Sequence, residues 1–323
     1  MKNNKKIFIL TEAILAGLLV LVAFLMLWEK NGKEPDRIAA VIQDSGESRW
    51  AAFKYGLREA SEDAGVELVV VSVERNFDSP IEEQLAEHVT ASGADAVILQ
   101  PVQGVNLKVL QKTIGRDIPI MLVENPGEGT DFEKIPVTGT DNYAVGEALD
   151  GELLTDSGGT LEGKTIGLLL PEEKSESILK REEGFREALS GKGADIAWTF
   201  SGEMLKQEKA LPKEQQSVDF VVALDDESLT AAGEASAANN LKGALVYGIG
   251  NSTEAVYYLD LGEVQKVVVP DDFSRGYRSL TEIAKKLHSR FYKMKSSQVD
   301  YTVLSRETLF NKENQELLFT MNQ

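Results

Sequence analysis

The sequence predicts an α/β protein: two doubly wound parallel-sheet lobes preceded by one N-terminal transmembrane helix. Short apolar runs such as IAAVIQ (Ile38–Gln43) and AVIL (96–99) alternate with amphipathic stretches of helical period, and the alternation restarts after residue 140. The runs are apolar at nearly every position, the pattern of strands covered on both faces, as in parallel sheets. Ahead of them, about 22 mostly apolar residues from Ile7 to Trp28 follow Lys2, Lys5 and Lys6, a length that crosses a hydrocarbon core of about 30 Å.

Composition agrees. The chain has 323 residues, 42% of them hydrophobic and only 9 Pro, enough for two domains that fold without staples. It has no Cys, which excludes disulfides, thiol catalysis, Cys-based zinc sites and lipid attachment to a cysteine. A net charge of −18 argues against nucleic acid or an anionic membrane surface as a partner, because clustered Lys and Arg supply most of that binding.

Residues 1–30 read as a cytoplasmic tip and transmembrane anchor. The run ends Phe24-Leu25-Met26-Leu27-Trp28 rather than in the small residues of a cleavage site, so the anchor is expected to be retained with its positive end in the cytoplasm. Residues 31–36 form a polar linker, and the soluble part begins near Arg37, outside the cytoplasm. There the strand Ile38–Gln43 leads into a helix over Trp50–Ala64, whose Phe53, Leu57, Ala60 and Ala64 share a face, and then into a strand over 66–73. A helix over 80–92, a strand over 96–99, a helix over 106–114 and a strand over 118–123 complete the first series. Within Ile135–Leu149 a β-rich run ending at Thr140 meets Asp141-Asn142, side chains suited to cap a helix that Val145, Leu149 and Leu153 continue. The second series has strands over 165–170, 195–200, 218–224, 244–249 and 264–269, with helices over 177–189, 227–239 and 252–261 between them. A long helix over 275–294 follows. Tyr301–Leu309 alternates like a strand, and the tail, with Leu317, Leu318 and Phe319, is expected to pack on a lobe.

In doubly wound sheets ligands collect beyond the carboxyl ends of the strands. Those ends are rich in carboxylates and amides: Asp44 and Glu47, Gln103, Glu124, Asp225 and Asp226, Asn251, and Asp271 and Asp272. Asp and Asn after a strand also cap the following helix, and that role competes with ligand binding at each position. Trp50 stands where its face either lines a cleft against a sugar ring or packs on its own lobe, and Arg49 is placed to pair with a ligand carboxylate, Asp44 or Glu47. Paired carboxylates are the only sign of acid/base chemistry. His88 and His288 fall inside helices, and there is no G-x-G-x-x-G after the first strand, no P-loop, no G-x-S-x-G elbow and no metal-spaced His set, so no enzyme, cofactor or metal is expected.

Six stretches carry a resemblance: FKYGLREASEDAGVELVV (53–70), GADAVILQPV (93–102), VTGTDNYAVGEAL (137–149), REEGFREAL (181–189), VVALDDESLTAAGEA (221–235) and VVVPDDFSRGYRSL (267–280). In order and spacing the chain from Arg37 onward resembles type I periplasmic binding proteins of the ribose- and galactose-binding group, whose fold is shared with ligand-binding domains of lactose-repressor-type regulators. The resemblance implies two lobes joined by three hinge crossings that close on a ligand. The crossings fall at Thr140-Asp141, at Pro270 to Phe273 with Asp272, and at 295–299. Lobe 1 is then 37–140 plus 271–296, and lobe 2 is 141–270 plus 297–323. By position, the resemblance puts Arg49 and Trp50 where sugar binders have aromatic rings, Glu47 where they have Asn, Gln103 near a usual Asp or Arg, and Asp225 where Asn or Asp contacts ligand hydroxyls. Three positions depart from the family. Its V-G-F-D reads Tyr247-Gly248-Ile249-Gly250, with Asn251 the nearest polar substitute; Pro270 replaces a Gln; and Leu179 replaces an Arg, with Lys174, Lys180 or Arg181 within reach of that space.

The expected function is an extracytoplasmic, membrane-anchored receptor for a small polar solute, a sugar ahead of an amino-acid-like one, that closes on its ligand and acts as a sensor. The alternatives are the solute receptor of an ABC importer for sugar and a degenerate lobe pair that serves as a protein-interaction module. Expected partners are the membrane, through the N-terminal helix, and either an ABC permease or a membrane histidine kinase. Nucleic acid is not among them, since the membrane segment stands where a regulator would carry its helix-turn-helix.

Overall fold

The computed structural model describes residues 12, 14–24, 34–43, 48–73, 81–101, 106–115, 117–124, 131–171, 174–208 and 216–321. They fall into two units, Met1–Asp36 and Arg37–Gln323. In the first, residues 14–24 are helical and all are exposed. The remainder of the expected 7–28 span lies outside the described residues, among which no helix is long and apolar enough to cross a membrane.

The second unit holds two six-stranded sheets. Lobe 1 carries β1 (Arg37–Gln43), β2 (Glu67–Val73), β3 (Ala96–Leu99), β4 (Ile120–Val123) and β5 (Val137–Thr140). Lobe 2 carries β6 (Thr165–Leu170), β7 (Asp195–Ser201), β8 (Phe220–Ala223), β9 (Leu245–Ile249) and β10 (Val264–Pro270). The last two strands, β11 (Ser297–Val299) and β12 (Tyr301–Ser305), join the first and second sheet respectively, giving the matching orders β2-β1-β3-β4-β5-β11 and β7-β6-β8-β9-β10-β12. Every described pair is parallel except β10 with β12. The helices are α1 (Ala51–Ala64), α2 (Ile81–Ser92) and α3 (Leu107–Ile114) on lobe 1, then α4 (Asn142–Asp156), α5 (Glu176–Leu189), α6 (Gly202–Glu208), α7 (Asp226–Ala237) and α8 (Thr253–Leu261) on lobe 2. The chain returns to lobe 1 for α9 (Asp272–His288) and ends on α10 (Gln315–Met321).

The central strands of each sheet are dry on both faces. Ile38, Ala40 and Ile42 of β1 join one core while Ala39 and Val41 join the other, the period-2 alternation that a parallel sheet between two helix layers requires. Each lobe also contains one helix pair in near backbone contact. A Cβ on Gly56 of α1 would lie 2.1 Å from Phe273 O, and one on Gly276 of α9 would lie 2.2 Å from Phe53 O. The α4–α5 pair repeats the arrangement: Gly146 faces Arg181 O and Gly184 faces Tyr143 O, both at 2.1 Å. Only residues without a Cβ permit this approach.

The chain passes between the lobes at Thr140–Asp141, at Pro270–Asp272 and at Asp300. The third passage comes later than the sequence predicts. Ser297–Val299 pair in register with Thr138–Thr140 and so belong to lobe 1, and lobe 2 resumes at Tyr301 rather than at 297. Three polar-flanked residues carry no strand periodicity of their own; the exposed edge of β5 organises them. Asp271 N donates to Asp300 O at 2.9 Å and ties the second passage to the third.

Candidate binding site between the lobes

β5 and β10 end alike. In Thr140-Asp141-Asn142 and Pro270-Asp271-Asp272 the central aspartate caps the next helix: Asp141 Oδ1 accepts from Ala144 N at 3.1 Å, and Asp271 Oδ1 accepts from Ser274 N at 2.9 Å. The residue after each cap is buried at the lobe junction, and each holds an arginine. Arg181 Nε donates to Asn142 Oδ1 at 2.8 Å, and Arg275 Nη2 pairs with Asp272 Oδ1 at 2.7 Å. Arg181 Nη1 also donates to Leu224 O at 2.9 Å, which fixes its guanidinium at the carboxyl end of β8, beside Asp225.

Arg275 is only 6% exposed. Its guanidinium lies 5.6 Å from the Phe53 ring and 5.9 Å from the Trp50 ring, and reaches Glu124 Oε1 at 3.5 Å. Glu124, just past β4, has φ +79°, a left-handed conformation uncommon outside glycine and frequent where a side chain must be aimed. Asp225 Oδ2 accepts from Glu227 N at 3.2 Å and Ser228 N at 3.4 Å, so it caps α7. Burial raises the pKa of Asp225 against the pull of Ser228 and Arg181, and raises that of Asp272 against Arg275. Burial pulls Arg181 the other way, below the usual arginine value, opposed by Glu124, Asp225 and Asp272. The five groups feel one another's charge and form one cluster.

The lobes meet over this cluster. Asn251 Nδ2, from lobe 2, donates to Arg49 O at 2.8 Å and to Asp272 Oδ2, both in lobe 1. Ser48 Oγ donates across the cleft to Glu254 Oε2 at 2.9 Å. Asn251 is itself held by Asp226, whose Oδ1 accepts from Asn251 N at 2.8 Å and Ser252 N at 2.9 Å. A Cβ on Gly250 would lie 2.8 Å from that same oxygen, so the aspartate of the V-G-F-D pattern would not fit beside Asp226.

Asp226 gives a pH prediction. Burial raises its pKa above the ordinary 3.8, opposed by hydrogen bonds from Ser252 and Asn251 and reinforced by Asp225. A carboxyl whose folded pKa is raised binds its proton more tightly folded than unfolded, so its contribution to stability is full below the unfolded pKa and is lost as pH rises through the folded one. Asp226→Asn keeps an acceptor for both N–H groups and removes the buried charge. Its melting temperature should exceed wild type at pH 7, with the difference closing as pH falls toward 4; a variant less stable at pH 7 contradicts this reading.

Of the residues that sequence reasoning nominated, Asp44, Glu47 and Gln103 lie outside the described residues. Glu124, Asp225 and Asn251 converge at the junction, and Asp272, expected only as a hinge residue, is at its centre. Arg49 contributes its backbone carbonyl, with its guanidinium 5.2 Å from the Trp50 ring centre. Trp50 is 2% exposed, donates from Nε1 to Gln43 O at 3.1 Å and meets Phe53 edge-on at 5.5 Å, so it follows the packing alternative rather than presenting a free face to the cleft. Asp271 serves as a cap, and Pro270 lies opposite Tyr301 in the β10–β12 ladder. Leu179 is 45% exposed, while Arg181, two residues on, turns inward. Arg275 and Asn142 were not singled out as site residues by sequence, and Asp226 was named only as a carboxylate at a strand end. For Arg275 a signal existed: it shares the buried face of α9 with Asp272, Gly276, Ser279, Leu280 and Ile283.

Among the described residues, Thr140 Oγ1, Asp225 Oδ1 and Arg275 Nε are buried at the junction without a hydrogen-bond partner. Buried polar atoms are normally satisfied. Arg275 Nε and Thr140 Oγ1 on lobe 1 and Asp225 Oδ1 on lobe 2 thus leave hydrogen-bonding groups unused where the lobes meet. No described group of His, Asp and Glu is arranged to hold a metal ion.

A family model described as a periplasmic binding protein domain matches residues 38–289. No curated protein matches by sequence. Among solved structures, GanP, a glucose-galactose binding protein from Geobacillus stearothermophilus, is similar with 18% identity and TM-score 0.72, over 86% of this chain and 100% of that one. A carbohydrate transporter solute binding protein from Agrobacterium radiobacter in complex with D-arabinose gives 16% identity and TM-score 0.72, over 88% and 99%. The XylFII-LytSN complex gives 16% identity and TM-score 0.70, over 85% and 99%. At such identities the likeness is one of fold.

Proposed function

Because the chain belongs to the periplasmic binding protein domain family, a family of solute-binding proteins and not of enzymes, we propose that it is a membrane-anchored receptor outside the cytoplasm that closes its two lobes on a neutral sugar. The observation that carries this reading is the set of unpartnered buried polar atoms on Thr140, Asp225 and Arg275 at the junction. Both arginines of the cluster already face carboxylates or carbonyls, which favours a ligand of many hydroxyls over an acid. The glucose-galactose and D-arabinose binders of the same fold support the sugar class. The tether is supported by residues 14–24, a helix apolar on every side and exposed throughout, behind Lys2, Lys5 and Lys6.

Delivery to an importer's permease is supported by the transporter relative. Sensing through a membrane partner such as a histidine kinase is a second reading, favoured by the XylFII-LytSN complex and by the tether, which holds a receptor beside one partner at high effective concentration. A thermal-shift screen of the full chain in detergent tests the binding role. Pentoses or hexoses at about a hundred times Kd should stabilise it by about 2.7 kcal/mol, and amino acids and nucleosides should not. Silence across the sugars overturns the proposal.

A further inference from the structure

The C-terminal helix α10 follows a lobe-2 strand but touches both lobes. Its lobe-2 anchorage is firm: Met321 and Thr320 are 2% and 3% exposed, Met321 belongs to the core cluster of the second lobe that includes Val221, Val246 and Leu304, and Leu317 and Leu318 pack against that cluster. Its opposite edge reaches lobe 1. The Phe319 ring meets Tyr55 of α1 edge-on at 5.8 Å, and Tyr55 in turn lies 5.6 Å from Phe273 at the start of α9. Ala52, one turn before Tyr55 and 3% exposed, is buried in the lobe-2 core, against which Phe273 also packs. This apolar contact needs no bound molecule.

Its position relates it to closure. The segment that enters α1 also carries the polar contacts across the cleft, Ser48 to Glu254 and Arg49 O to Asn251. A hinge rotation that separates Arg49 from Asn251 must therefore also slide Tyr55 off Phe319 and expose Ala52.

We propose that α10 is a strap: anchored in lobe 2, it holds lobe 1 through Tyr55, Ala52 and Phe273 and biases the protein toward the closed form before any ligand arrives. The strap then sets the resting closed fraction. A ligand that selects the closed form gains apparent affinity in proportion to that fraction, and a partner that reads closure meets a resting signal above zero. This holds whatever solute the cleft takes.

The chain has no Cys, so paired dyes can be placed uniquely. Cysteines at the exposed Glu62 of lobe 1 and Glu234 of lobe 2 report the inter-lobe distance by single-molecule energy transfer, and a second pair at Lys112 and Glu162 guards against an insensitive geometry. In the full chain without ligand the compact population should dominate. Phe319→Ser, which leaves Met321 in its core, should lower the closed-to-open ratio by about fivefold, as an aromatic pair of this kind predicts. Tyr55→Ser should do the same, and the double variant should add little, because each change removes the same contact. Ending the chain at Asn314 should open it further. An unchanged distribution in Phe319→Ser, a shift in Tyr55→Ser alone, or a wild type already open overturns the strap. Since no sugar is used, none of these results bears on the ligand class.

Discussion

Arg275→Ala is expected to destabilise the Arg37–Gln323 unit by about 3–5 kcal/mol, the usual cost of removing one partner of a buried ion pair. The change leaves Asp272, 3% exposed, facing Glu124 without its ion-pair partner, held only by the Asn251 hydrogen bond and the charge of Arg181, and opens a void between Phe53 and Trp50. Denaturant unfolding measures the effect. Arg275→Met with Asp272→Asn should recover much of the loss, because the stranded charge goes while Asn251 keeps an acceptor. If the single variant loses less than about 1 kcal/mol, the pair is solvated and the cluster is not the buried constellation described above.

Gly184→Leu is expected to cost at least as much, on the order of 4 kcal/mol or beyond. Where a Cβ already falls 2.1 Å from Tyr143 O, a branched side chain forces α5 away from α4 and carries Arg181, on the preceding turn, off Asn142. The same holds for Gly56 and Gly276 at the α1–α9 crossing. Gly56→Ala with Gly276→Ala should be sub-additive, since helices already pushed apart by one methyl accommodate the second. Gly151 is the control: it lies on α4 with nothing within 4 Å of its would-be Cβ, so Gly151→Ala should stabilise by up to about 1 kcal/mol. Equal effects at Gly146 and Gly151 would show that the crossing is not close.

These glycines explain why so much of the fold was legible. Four of the six family-like stretches, those containing Gly56, Gly146, Gly184 and Gly276, are the four helix segments of the two close crossings, and their residue order is dictated by backbone contact rather than by ligand. Strand positions were legible for a related reason: strands buried on both faces are apolar throughout, and the Asp or Ser caps after them mark where each turns into a helix. The site was less legible because it is built by side chains that meet only after the lobes fold back on each other. Arg275 and Glu124 lie 151 positions apart in the chain, and no local pattern shows that the two meet. Asp225 and Asp271 were visible as carboxylates at strand ends, but capping and ligand contact use the same residue type at the same place, and the structure shows both serving as caps. Trp50 was ambiguous for a different reason. Its amphipathic ring suits a cleft or a core equally, and the choice depends on the reach of Arg275 from a helix more than two hundred residues later. The third passage was misplaced because β11 is a strand only by virtue of the edge it joins.

The most direct test of the junction as a sugar site is a calorimetric titration of the sugar that gives the largest thermal shift into the wild-type chain and into Asp225→Ala. The expected result is saturable one-to-one binding to the wild type and an affinity at least about thirtyfold weaker in the variant, the loss that follows when a buried polar contact to the ligand is removed. Equal affinities in the two proteins, both still folded, would place the ligand elsewhere and contradict the reading of this cluster as the site.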